Sequence, residues 1–165
     1  MSTRPQGNET YDIIVIGSGA GGMSTAITAK KHGASVAILE KESVFGGTTA
    51  FSGGVLWIPL NRHCREAGAE DSREDALRYM KEETGNFYDS EVVEAFIDTG
   101  PEMVEWFEKE TDVKFVPTLY PDYHPDVPGG VDVGRSVLAA PFDTSVLGAN
   151  LKRLRPPLAT ITFMG

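Results

Sequence analysis

The sequence predicts an α/β fold: a Rossmann-like βαβ unit, then a helical segment and a Pro-rich loop, with the doubly wound sheet incomplete. Three observations predict it. Two short β-branched runs flank a stretch of small residues, all within about 30 residues, the length of a βαβ unit. A glycine pattern stands at the turn out of the first run. The composition also shifts along the chain: ten of the 18 glycines fall in 1–54, sixteen of the 24 acids in 66–112, and seven of the ten prolines at 117 or beyond. These shifts mark three zones, 1–60, 61–112 and 113–165.

Each element follows in order. Tyr11-Asp12-Ile13-Ile14-Val15-Ile16 ends at glycine, as a buried parallel strand does. Gly17 to Gly22 form a tight turn. Met23 to His32 then read as a helix of small residues, closed by Gly33. Ser35 to Leu39 make the second strand, which ends at Glu40. In the middle zone Ser72 and Asp75 form a capping box that opens a helix to about Glu83. Residues 89–98 predict a second short helix. Thr99 with Glu102 caps a third, with Pro101 in the first turn, where a missing N–H costs nothing. Met103, Trp106 and Phe107 share one face of it. Past it lie one strand, Val113 to Val116, and a loop punctuated by Pro117, Pro121, Pro125 and Pro128.

Charge and composition exclude several functions. The formal charge is −9, without the basic footprint of a nucleic-acid binder. A lone cysteine, Cys64, excludes an intramolecular disulfide or a thiolate metal cluster. His32, His63 and His124 show no metal-ligand spacing. His63 and Cys64 are neighbours, but no carboxylate is placed by the sequence to orient them, so they are assigned no catalysis. The start has no apolar core of signal-peptide length, and no run of 18 apolar residues exists. The expectation is a soluble cytoplasmic protein with no nucleic-acid partner and no membrane insertion.

Gly17-Ser18-Gly19-Ala20-Gly21-Gly22 carries GxGxxG at 17, 19 and 22. Gly17 permits the tight turn, Gly19 lets a pyrophosphate approach the backbone, and Gly22 lets the helix pack on the strand. The anion then sits at the positive end of the helix. Glu40, at the end of the second strand, can accept hydrogen bonds from both hydroxyls of an adenosine ribose and would repel a 2′-phosphate. Glu40-Lys41 is followed by a second cluster, Gly46-Gly47-Thr48-Thr49-Ala50-Phe51-Ser52-Gly53-Gly54. NAD does not need it; a longer dinucleotide, touched twice by backbone, does.

These residues carry a family resemblance. DIIVIGSGAGGMSTAITAKKHGASVAILEK and FGGTTAFSGGVLWIP resemble the FAD-binding superfamily of fumarate reductase and succinate dehydrogenase flavoproteins, and within it the 3-ketosteroid dehydrogenases. The likeness extends to Gly100-Pro101-Glu102-Met103, Pro121 to Pro125, Gly129-Gly130, Gly134-Arg135-Ser136 and Pro141-Phe142-Asp143. It implies FAD as cofactor, with Gly17, Ser18, Gly19, Ala20, Gly21 and Gly22 holding the pyrophosphate. It places Glu40 on the ribose and Lys41 near the adenine. Gly46, Gly47, Thr48, Thr49, Ser52, Gly53 and Gly54 would line the stretch from pyrophosphate to flavin.

The resemblance also implies a reaction: dehydrogenation of a CH–CH bond in a ketone-bearing ring, on a steroid-like small molecule. Fumarate reductase-like alkene reduction and a non-catalytic FAD-binding remnant stay open, as does an oligomeric state. Where the ketosteroid dehydrogenases carry Asp-Tyr-Tyr-Pro, this chain has Asp122-Tyr123-His124-Pro125. Tyr123 matches, and His124 replaces the substrate-facing tyrosine. An imidazole titrates near neutral pH and can move a proton, so His124 and Tyr123 are the candidate catalytic residues. Members of this family are several-fold longer than one βαβ unit. The expectation is therefore the N-terminal part of a longer enzyme, inactive alone.

Overall fold

Four branched apolar residues in a row, Ile13–Ile16, form strand β1 in the computed structural model, which describes residues 9–158 and 160. Helix α1 (Ala20–Lys31) and strand β2 (Val36–Leu39) follow. β1 and β2 pair in parallel, Ile13 opposite Val36 and Ile16 opposite Leu39, so the expected βαβ unit is present. Asp12 and Ser35 clasp its near end: the Ser35 N–H and Oγ donate to Asp12 Oδ2 at 2.8 and 2.6 Å. α1 begins three residues before Met23, so Gly21 and Gly22 lie inside it. Close packing explains this. A Cβ at Gly22 would stand 2.0 Å from the Gly17 carbonyl oxygen, so only glycine lets the first turn of α1 rest on the strand-end turn.

A two-stranded sheet with one crossover helix leaves much of itself uncovered. Ile14 is 58% and Ile16 86% exposed. The same compact unit takes in a later segment, so among the described residues it spans 9–52 together with 143–158. Residues Thr144–Arg153 coil in 3-10 turns, broken at Gly148. Past them the backbone pairs with Phe45: the Phe45 N–H donates to the Arg153 carbonyl at 2.7 Å, and the Arg155 N–H to the Phe45 carbonyl at 2.8 Å.

The second unit is Gly53–Phe142. Strands β3 (Val55–Trp57), β4 (Phe115–Pro117) and β5 (Ser136–Ala139) form an antiparallel sheet with β5 in the centre. Helices α2 (Arg62–Glu66), α3 (Arg73–Thr84) and α4 (Ser90–Glu110) complete the unit. Ile58, Cys64, Val104, Phe115 and Val137 make one buried cluster; Ala76, Val93 and Ile97 make another. Each such large aliphatic side chain contributes roughly 1.5–3 kcal/mol when fully buried.

The Ser72 cap is where the sequence places it, its Oγ accepting from the Asp75 N–H at 3.0 Å. The third helix is not. Residues 89–98 and the segment from Pro101 are one helix, α4, with Pro101 inside it. Thr99 caps nothing; its hydroxyl donates to the Ala95 carbonyl at 2.6 Å. Val93, Ile97, Gly100 and Val104 are the buried residues of α4 and form one continuous stripe. Burial along that stripe outweighs the lost proline hydrogen bond. β3 and β5 were not expected, and β4 starts two residues later than the predicted strand. Strands of three or four residues are too short to display a period. No helix among the described residues is long and apolar enough to cross a membrane.

Candidate functional site

The site starts where β1 ends. The Gly17 N–H donates to the Leu39 carbonyl at 2.7 Å, tying the ends of the two parallel strands together. Ser18 is 2% exposed. Its N–H and Oγ donate to Glu40 Oε2 at 3.1 and 2.5 Å, and its Oγ accepts from the Gly46 N–H at 2.9 Å. One hydroxyl thus joins the first glycine turn, the acid after β2 and the second glycine cluster. The Ser18 hydroxyl, then the Glu42 N–H, pull the Glu40 carboxyl down to about 2, so it is an anion at every physiological pH.

The two clusters also touch directly. A Cβ at Gly47 would lie 3.0 Å from Gly19 Cα, a spacing only glycine accepts comfortably. Thr49 Oγ1 accepts from the Ala20 N–H at 3.0 Å, and Ser52 Oγ donates to the Thr49 carbonyl at 3.0 Å. The hydroxyls of Ser18 and Thr49 therefore tie the two loops together, and that of Ser52 closes a turn within the second. Gly19 has no side chain to cap α1 and the first turn has no acid; Thr49 takes the Ala20 N–H, and among the described residues no side chain takes those of Gly21 and Gly22, which remain for an anion.

Of the residues singled out by sequence, Gly17, Ser18, Gly19, Glu40, Lys41, Gly47 and Thr48 line one cleft of about 510 Å³. Ala20, Gly21 and Gly22 form the first turn of α1, and Gly46 heads the second loop. Arg155 also lines the cleft, and sequence reasoning missed it. A signal existed: Lys152, Arg153 and Arg155 concentrate positive charge in a chain with net −9. Gly53 and Gly54 belong to the second unit, where the Gly54 carbonyl accepts from the Ala139 N–H at 3.0 Å.

Tyr123 and His124 also belong to the second unit. Tyr123 is 97% exposed. His124 is not a bare loop residue: its Nδ1–H donates to Glu83 Oε1 at 2.7 Å, which leaves Nε2 outward. Asp122, two residues earlier, is held on both oxygens. Its Oδ2 accepts from Arg135 Nη1 at 2.8 Å and its Oδ1 from Trp57 Nε1 at 2.6 Å. Arg135, fully buried, also binds Asp71 through Nε and Nη2 at 3.1 and 2.8 Å. Its guanidinium stacks on Trp57 and Tyr79, 5.7 and 5.4 Å from the ring centres.

His63 needs a correction, for a carboxylate does orient it. Glu108 Oε1 lies 2.9 Å from His63 Nε2, and Glu108 Oε2 accepts from Arg62 at 2.9 Å. Burial pushes the Glu108 carboxyl up, but the Phe115 N–H, then His63 and Arg62, outweigh it and hold it low. Cys64 is not part of this group. It is 2% exposed in the core, and burial pushes its thiol up, away from nucleophile chemistry.

A parallel strand pair, a glycine turn against an uncapped helix and an acid after the second strand define a dinucleotide-binding α/β protein. The FAD binding domain family matches residues 12–162, and the chain belongs to it; its cofactor is FAD. The chain is similar to 3-oxosteroid 1-dehydrogenase of Mycolicibacterium smegmatis, with 41% identity over 93% of this chain and 27% of the relative. It is similar to 4-oxocyclohex-2-ene-1-carboxylate 5-dehydrogenase of Sinomonas cyclohexanicum, with 43% identity over 93% of this chain and 26% of the relative. Among solved structures, 3-ketosteroid delta1-dehydrogenase from Sterolibacterium denitrificans, in complex with 1,4-androstadiene-3,17-dione, matches with a TM-score of 0.86 and 36% identity. That match covers 93% of this chain and 27% of the other. The chain thus spans about a quarter of the length of the relatives it matches.

Proposed function

We propose that the chain is the cofactor-binding part of an FAD-dependent dehydrogenase that desaturates a CH–CH bond next to a ring ketone. One observation carries this reading: the two glycine clusters meet beside Glu40, with Gly47 against Gly19, and shape one cleft at the open end of α1. The named relatives act on 3-oxosteroids and on a 4-oxocyclohexene carboxylate, and a cyclic ketone is the chemistry common to them. A steroid or a smaller ring ketone is accordingly the substrate class.

The residues present fit the cofactor. In this reading the backbone of Gly17 to Gly19 and the first turn of α1 would hold the pyrophosphate. Glu40, kept as a carboxylate by Ser18, would accept from the ribose hydroxyls through its free lone pairs, with Lys41 beside the adenine. Thr48 would face the chain running toward the flavin. When bound, FAD accepts the hydride equivalent and so supplies the redox chemistry. The proton is left to the protein. His124, with Nδ1 against Glu83, would use Nε2 to take or give one, and its chain neighbour Tyr123 would offer a phenol.

The test is a visible absorbance spectrum of the purified chain after incubation with FAD and gel filtration, then turnover of 3-oxosteroids and cyclohexanone carboxylates with an acceptor dye. Co-eluting flavin is expected. A protein that binds no flavin would count against the reading; bleaching of the loaded protein by a ring ketone would extend it from cofactor binding to the reaction.

A further inference from the structure

Arg155 lines the cleft and has no ion-pair partner among the described residues. The pairing of residues 153–155 with Phe45 carries it there, and its guanidinium lies over the Phe51 ring, 5.9 Å from the centre. Its Nε is buried and makes no hydrogen bond. Among the described residues no carboxylate pairs with it. A guanidinium stays charged at any working pH, and a buried donor on a charged group is costly to leave unmade. Among the described residues nothing neutralises this charge, and Arg155 lines the cleft where an anion could.

The charges around it say what kind of acceptor. Glu40 and Glu42 are set against Lys41 and Arg155 in the same cleft. Without Arg155 the lining would carry net negative charge and repel a doubly anionic pyrophosphate. The open end of α1 offsets this by only about half a charge. A planar fork of N–H groups matches a pair of phosphate oxygens, whereas it offers nothing particular to a neutral ribose. Resting on the assignment of this cleft to the cofactor, we propose that Arg155 is a direct ligand of the FAD pyrophosphate. It is the counter-charge that lets an acid-lined cleft hold an anion.

FAD binding to the purified chain can be followed by flavin fluorescence, with ADP and adenosine as competitors, for the wild type, Arg155→Met and Arg155→Lys. Arg155→Met keeps the aliphatic stem and removes the charge, and an unchanged circular-dichroism melting curve shows that it folds. The expected result is an affinity for FAD and ADP about 10- to 100-fold weaker, with adenosine unaffected. Arg155→Lys is expected in between, and the gap between wild type and Arg155→Met narrows as salt rises. Unchanged FAD and ADP affinity in Arg155→Met overturns the proposal, and so does an equal loss for adenosine, which marks a merely structural role. Gly47→Val separates the two levels of inference. If it abolishes FAD binding while Arg155→Met does nothing, the cleft is the cofactor site and only the role of Arg155 fails. If neither variant matters, or the wild type takes up no FAD, the cleft assignment fails and the proposal with it.

Discussion

Arg135 and Arg155 are both drawn away from solvent, yet their surroundings are opposite. Arg135 has its guanidinium filled by two carboxylates and two aromatic faces, all contributed by its own unit. Arg155 has one aromatic face and a buried N–H with no acceptor. The helix ends repeat the contrast. α3 and α4 are capped by Ser72 and Asp89, whereas α1 starts on Gly19 with no side-chain cap. The second unit closes its polar groups on themselves and gains a rigid shape. The glycine-rich unit leaves the Arg155 Nε–H without an acceptor among the described residues, beside the cleft assigned above to the cofactor.

The contrast can be broken at several points. The largest effect is expected at Arg135. Arg135→Met leaves Asp71 and Asp122 buried without their cation and should cost about 3–5 kcal/mol, read from urea unfolding followed by Trp fluorescence. An unshifted midpoint would mean the network is dispensable. Gly22→Ala comes next. Its methyl group overlaps the Gly17 carbonyl, so the βαβ unit should lose about 1–3 kcal/mol and its hold on FAD, measured by melting and flavin titration.

Glu40→Gln should weaken FAD roughly tenfold through loss of charged hydrogen bonds. It also has a pH signature. The folded carboxyl titrates at about 2 and the unfolded one at 4.5, so its stabilising effect is complete above pH 4.5 and is lost as pH falls toward 2. Wild type and Glu40→Gln should therefore differ in acid unfolding at pH 5 and converge near pH 2. A constant gap would contradict the Ser18–Glu40 contact. The smallest effect is expected at the caps: Asp89→Ala should cost about 1 kcal/mol, seen as a modest drop in melting temperature, with FAD affinity unmoved.

The βαβ unit was legible because glycine spacing, β-branched runs and the acid at 40 all point to one structure. So was the Ser72 cap, a purely local signal. α4 was read as two helices because Pro101 outweighed the 93-97-100-104 stripe, although the stripe was there to be counted. The cleft was legible in its glycines but not in Arg155, whose place depends on a pairing with Phe45 more than a hundred positions away. Arg135 stood in view as part of a family-like segment, but its role comes from Asp71 and Asp122 meeting in space. The Glu108 contact to His63 was hidden for the same reason: such tertiary meetings leave no periodic trace.

The pairing of Phe45 with residue 154 also sets an order of events. A ribosome completes all of 53–142 before it makes the strand that docks beside Phe45. The βαβ segment, though first to emerge, gains this pairing only after the intervening unit has emerged. Loop closure over so long a separation is slow compared with local helix formation. The cleft that Arg155 lines is therefore completed late, and on the proposed reading a nascent chain stalled before Arg155 should lack its cofactor grip even with every glycine in place.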